Sequence, residues 1–198
     1  MLQEQIASEP AHATAPSAPR LQTPTPPEAG ACRAVLRASA ALLMDLPTEA
    51  FARPSHLLPG GTIGKHVRHL LDHIEAAVRA WEQPGEVLDY DHRNRDTPVE
   101  SQVLAALGAI DRLDRRLARL GPDRAGQPVR VRTLLSAEGS CGEHASTAGR
   151  ELAFAFHHAL HHQAMIGAIA REHGVPVPSA FGKAPSTEIH EAARLVAG

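Results

Sequence analysis

Two runs of histidines limit this chain's fold more than any other feature, because each is spaced to put several imidazoles on one side of a helix. In KHVRHLLDH, His66, His69 and His73 are separated by three and four residues, so at about 100° per residue they fall within about 60° of one another. In FHHALHHQAMI, His158 and His162 lie four apart, a spacing that lets two imidazoles of one helix converge on a single metal ion. His157 and His161 repeat that spacing one position earlier. The chain holds 13 histidines in 198 residues, where ordinary composition would supply about four.

The surrounding pattern is helical. Leu36, Ala40 and Leu43 share a row over residues 28–46, and Pro47 stops it. Pro54, Pro59 and Gly60-Gly61 make 51–61 a loop that delivers the chain to Thr62 as an N-cap. A second helix over 63–81 carries Ile63, Val67, Leu70, Ile74, Ala77 and Trp81 on its apolar face and ends at Pro84-Gly85. Residues 83–97 are polar without periodicity and read as a long crossover loop. Thr97-Pro98 with Glu100 opens a third helix to about Leu120, with Val103, Leu104, Leu107, Ile110, Leu113 and Leu117 inward. Its arginines 112, 115, 116 and 119 form a solvated face beside Asp111 and Asp114. Residues 129–135 alternate poorly but are β-branched, and with EGSCGEH they suggest a short hairpin. Ser146 or Thr147 then caps a fourth helix, 148–172, closed by His173-Gly174, and a short helix follows at 187–196. The expected fold is all-α: a four-helix bundle with a long crossover loop and a short C-terminal helix.

Composition narrows the function classes. Twenty basic residues against 22 acidic ones leave a net charge of -2, with no positive excess for nucleic acid. No apolar run approaches the ~20 residues that span a bilayer, and the start lacks the apolar stretch of a secretory signal. Cys32 and Cys141 make a poor disulfide framework, so reduced thiols and a cytoplasmic location are expected. Pro10, Pro16, Pro19, Pro24, Pro26 and Pro27, among Ala, Ser and Thr, mark residues 1–27 as a disordered tail ahead of one domain, 28–198.

A lone inward histidine is ordinarily a hydrogen-bonded core residue. Two clusters on separate helices need partners or a cation to hold their rings neutral, which favours metal binding. On the fourth helix, Phe154, Ala155, Met165 and Ile169 surround the direction of His158 and His162, while His157 projects off that stripe. On the second, periodicity places His66 and His73 nearer the apolar face than His69.

The segments TIGKHVRHLLDH and HHALHHQAMI resemble the helix-2 and helix-4 motifs of the DinB-like (YfiT-like) metal-binding four-helix bundles, over about Glu28 to Glu172. The resemblance implies His69, His158 and His162 as ligands of a divalent ion, zinc or nickel, with positions open for water or substrate. It selects His69 where periodicity selects its neighbours, and it leaves His66, His73, His157 and His161 without a role. It also implies an enzyme that activates a low-molecular-weight thiol or water for transfer or hydrolysis of a small-molecule substrate, with room for a homodimer. The competing expectation is a bundle that binds a metal or ligand without catalysis.

Glu151, seven residues before His158, is the catalytic candidate as a general base, and equally a fourth ligand or an acceptor for an imidazole N–H. As a first-turn acid it also suits the helix dipole. Asp72 is a weaker candidate beside the ligands. Cys141 and His144 lack a second half-site and read as turn residues. FGKAPST, around Phe181, is expected to pack or rim the pocket.

Overall fold

The computed structural model describes residues 24–91 and 97–197. Most of the expected tail, and residues 92–96 of the crossover, lie outside the described residues. Among the described residues the chain is mostly helical, with a small sheet of three strands. In order the elements are α1 (Pro27–Met44), α2 (Thr48–Ala52), α3 (Ile63–Glu82), β1 (Val87–Asp89), α4 (Pro98–Ser101) and α5 (Val103–Leu117). After a 3-10 turn (Pro122–Arg124) come β2 (Pro128–Leu134), β3 (Cys141–Thr147), α6 (Ala148–Glu172) and α7 (Pro185–Ala197).

Local chemistry fixes the ends of the two histidine helices. Thr62 Oγ1 accepts from the Lys65 N–H at 3.0 Å at the start of α3, and Thr147 Oγ1 accepts from the Arg150 N–H at 3.3 Å at the start of α6, each satisfying a backbone donor that the helix cannot. Gly174, at φ 78°, ends α6 in a left-handed turn where its N–H donates to Arg171 and that of Val175 to Ala170, the paired bonds of a Schellman motif.

The four long helices pack in the cyclic order α1, α6, α3, α5 around one core, with α3 against α6 the most extensive pairing. Leu36 and Leu43 from α1, Leu70 and Ile74 from α3, Leu117 from α5 and Leu152 and Ile166 from α6 are all buried there. Burying such a side chain contributes about 1.5–3 kcal/mol each. Where α1 meets α6 the core takes in a polar pair, Gln163 and Ser39: Gln163 Nε2 donates to the Val35 carbonyl and to Ser39 Oγ, both at 2.9 Å, so its amide protons are matched as burial requires.

Two arginines of the expected solvated face, Arg115 and Arg116, form ion pairs. Arg116 reaches Glu75 and Glu82 of α3, Arg115 reaches Asp111 at 2.5 Å, and Asp114 receives Arg33 and Arg37 of α1.

Five local expectations change. The third helix is interrupted: Gln102, at φ -123° and ψ 114°, separates α4 from α5, because α4 is drawn onto the start of α3, where Glu100 meets Arg68 Nε at 2.8 Å. Leu104, expected inward, is 82 % exposed beyond that break. The loop 51–61 begins inside α2, whose Phe51 is wholly buried. The mostly helical chain also carries a small sheet in which β1, inside the expected crossover loop, runs parallel to β2, while β3 pairs with β2 antiparallel as the expected hairpin. Strand β2 in fact alternates cleanly, burying Val129 and Val131 and exposing Arg130 and Arg132.

Gly64 is the closest approach in this arrangement. A Cβ there would stand 2.0 Å from the Glu100 carbonyl oxygen and 2.9 Å from Phe51 Cε1, so α4 could not stay in place. Overpacking of this kind costs typically about 1–3 kcal/mol, and Gly64→Ala is expected to lower the urea midpoint accordingly. A variant as stable as the parent would show that α4 is not seated on α3.

Candidate metal centre

The histidine faces of α3 and α6 meet. His158 Nε2 lies 3.2 Å from His69 Nε2 and 3.1 Å from His162 Nε2, and one nitrogen from each of the three rings falls within 4.8 Å of the others. Two nitrogens on a tetrahedral ion at 2.0–2.1 Å would be about 3.3 Å apart, so the observed spacing suits a shared cation. The proton count agrees. A neutral imidazole carries one N–H, and His158 Nε2 faces two other nitrogens at once, so it cannot donate to both. A divalent ion among three lone pairs resolves that conflict.

The burial gradient matches the requirement. His162 is buried, His69 and His158 are half-buried, and His157 and His161 are exposed on the outer side of α6. Phe154, expected beside the inward direction, is 38 % exposed, whereas Ala155 and Ile169 are buried as expected, together with Leu152, Ala159 and Ile166. Burial, reinforced by the neighbouring imidazoles of His158 and His66, pushes the His162 pKa down to about 3. That keeps the ring in the neutral form a metal requires.

The helix-2 ambiguity has a geometric outcome. His69 enters the cluster, whereas His66 Nδ1 meets the far nitrogen of His162, Nδ1, at 3.0 Å. Burial, with His161 adding to it, lowers the His66 pKa as well. His73 is placed differently: its Nδ1 lies 3.2 Å from the His69 carbonyl oxygen, and its ring stacks on His158 with centroids 3.8 Å apart. Periodicity reports distance from the apolar stripe, and a ligand set shared by two helices sits at the stripe's margin.

Beside the cluster, a cavity of about 610 Å³ opens between α6 and the sheet, lined among others by His73, Tyr90, Val131, Ser146, Glu151 and Phe154. Glu151 is wholly buried. Its carboxylate accepts from Tyr90 Oη at 2.9 Å, Ser146 Oγ at 2.5 Å and Arg150 Nη1 at 2.6 Å. The Tyr90 ring lies parallel to His73 with centroids 4.9 Å apart, so the cavity and the histidine cluster share a wall. Burial first, and the adjoining Glu151 carboxylate second, hold the Tyr90 hydroxyl protonated well above the ordinary phenol range. Tyr90 could not be read as a site residue from the sequence, because only the pairing of β1 with β2 carries residue 90 to the start of α6.

The remaining candidates fall away from the cluster. Asp72 accepts from Arg68 at 2.6 Å along α3. Cys141 and His144 stand on β3 rather than in a turn, and an odd separation along a strand points them to opposite faces. Phe181 packs under the end of α1, where with Leu42 and Gln163 it lines a separate groove.

No solved structure matches the chain. A curated relative, "FK506-binding protein 5" of Rhizopus delemar, is 37 % identical over 105 residues, which is 52 % of this chain and 27 % of that protein. The chain thus spans about a quarter of the relative's length. No helix is long and apolar enough to cross a membrane among the described residues. The family described as mycothiol maleylpyruvate isomerase N-terminal domain matches residues 32–153, a stretch that includes His69 and Glu151 and stops just short of His158 and His162. With more than half of its length matched, the chain belongs to the mycothiol maleylpyruvate isomerase N-terminal domain family.

Proposed function

We propose that this is a metal-dependent enzyme of the DinB-like (YfiT-like) superfamily, a four-helix bundle in that scheme, acting in the cytoplasm on a small molecule with the help of a low-molecular-weight thiol or water. The observation that carries the reading is the convergence of His69, His158 and His162 beside a cavity of about 610 Å³. The family's name, which combines mycothiol with an isomerase, supports the thiol over water.

His69, His158 and His162 would hold the ion, zinc or nickel, through Nε2. A divalent ion on three neutral imidazoles keeps its full charge and lowers the pKa of a thiol or water bound to it. The protein supplies the rest. His73 stacks on His158 and fixes its ring plane. Glu151 serves as the proton acceptor of the cavity through Tyr90: a proton arriving at Tyr90 Oη is matched by one passing to Glu151 Oε2, 2.9 Å away. Arg150 and Ser146, both donating to Glu151 Oε1, keep the carboxylate aimed at that hydroxyl. Val131 and Phe154 supply part of the cavity's apolar wall.

Protein purified without a polyhistidine tag is expected to carry about one divalent transition ion per chain, and a His158→Ala, His162→Ala double variant to carry none. Metal analysis decides this, and stoichiometric metal in the double variant would refute the ligand set. In the cobalt-substituted protein, adding a small thiol is expected to change the visible spectrum by entering an open coordination position. An unchanged spectrum would favour a closed, non-catalytic site.

The depressed pKa of His162 also sets a pH dependence for the metal-free protein. The unfolded ring takes up a proton near its ordinary 6.5, while the folded ring resists until about 3. Its contribution to stability is therefore complete above about 6.5 and is lost as the pH falls from there toward about 3. Urea midpoints across that window should decline less steeply in His162→Gln than in the parent, and identical slopes would contradict the assignment.

A further inference from the structure

We propose that His66 is a positioning residue of this centre: it accepts the Nδ1 proton of His162 and so fixes that ring in the tautomer and orientation that present Nε2 to a metal ion. The inference rests on the metal-centre reading above and extends it to a residue that neither the motif nor the family match assigns.

The proton inventory leads there directly. If His162 Nε2 offers a lone pair to the cluster, its one proton sits on Nδ1, whose partner is His66 Nδ1 at 3.0 Å. His66 Nδ1 must then be the acceptor, which puts the His66 proton on Nε2. That nitrogen is buried and has no hydrogen-bond partner. A buried polar group without a partner destabilises a fold, and here the unmatched atom is the one left over when His66 turns its lone pair toward His162. Metal-bound imidazoles ordinarily donate their second N–H to a carboxylate or a carbonyl oxygen, and His66 takes that place.

The loop before α3 holds His66 where it is. A Cβ on Gly61 would stand 3.1 Å from His66 Nε2 and 3.0 Å from the Leu58 carbonyl oxygen, so a side chain at 61 would press on the outer edge of the ring. The Gly61 N–H donates to Leu58 at 2.8 Å and its carbonyl accepts from Ser55 at 2.9 Å. Ser55 Oγ in turn donates to Glu172 Oε2 at the end of α6, at 2.6 Å. Hydrogen bonds thus tie this loop to the last turn of α6 beside the outer edge of the His66 ring, whose inner nitrogen meets His162 in the middle of the same helix.

The test uses the full-length protein, zinc, and a chromophoric chelator in competition at one fixed pH. His66→Ala is expected to weaken zinc binding by about 10–100-fold, the range for loss of a residue behind a metal ligand. His66→Asn, which keeps an acceptor near the Nδ1 position, should recover most of that loss. Gly61→Ala, which presses on the ring without removing it, should weaken binding while retaining the parent's helical signal. In the zinc-loaded parent, long-range proton–nitrogen spectra should show His162 bound through Nε2 and protonated at Nδ1. A His66→Ala protein that binds zinc as tightly as the parent, a His66→Asn protein no better than His66→Ala, or a His162 bound through Nδ1 would each overturn the proposal and leave the three-ligand centre standing. A parent that binds no zinc would overturn both.

Discussion

Nitrogen atoms from three imidazole rings brought within 4.8 Å of one another impose the condition that the rest of this protein meets. Two helices, α3 and α6, must lie against each other in one register, since a turn's displacement of either would move His69 more than 5 Å from its partners. Their rings must also stay uncharged, because adjacent imidazolium groups would repel and lose their hydration together. The extensive α3 and α6 packing answers the first demand, and the buried setting of His162 answers the second.

The small sheet matters because of what it brings to that helix pair. Strand β3 runs straight into α6 at Thr147 and Ala148, so the hairpin adjoins the start of the helix without a connecting loop. The parallel pairing of Val87–Asp89 with Arg130–Arg132 then leads the chain to Tyr90, which lies over Glu151 and beside His73. Without the sheet, α6 would begin at solvent and Glu151 would be an ordinary first-turn acid. With it, the same residue is the most buried carboxylate of a cavity adjoining the histidines.

Much of this was legible in the sequence because it is local. The caps Thr62 and Thr147, the stop at Gly174 and the bounds of α3 and α6 follow from side chains acting within one turn, and the spacing of His158 and His162 is a property of one helix. What was hidden depends on distant partners. A three-residue strand has no periodicity to read, and β1 exists only because β2 lies alongside it. The break at Gln102 reflects the pull of Arg68 on Glu100 across two helices, against a local pattern that favours one uninterrupted helix. The division of labour among His66, His69 and His73 was beyond a helical wheel, which counts degrees and cannot say which nitrogen of which ring faces another.

The stacking of Tyr90 on His73, and of His73 on His158, gives the molecule an internal optical reporter. The chain has a single tyrosine and a single tryptophan, and the tryptophan, Trp81, is fully buried at the far end of α3. A chiral signal from the phenol ring therefore comes from one place only, two rings away from the convergent nitrogens. Any molecule that enters the cavity or turns the His158 ring must disturb that column, so occupancy of the site can be followed in the unlabelled protein.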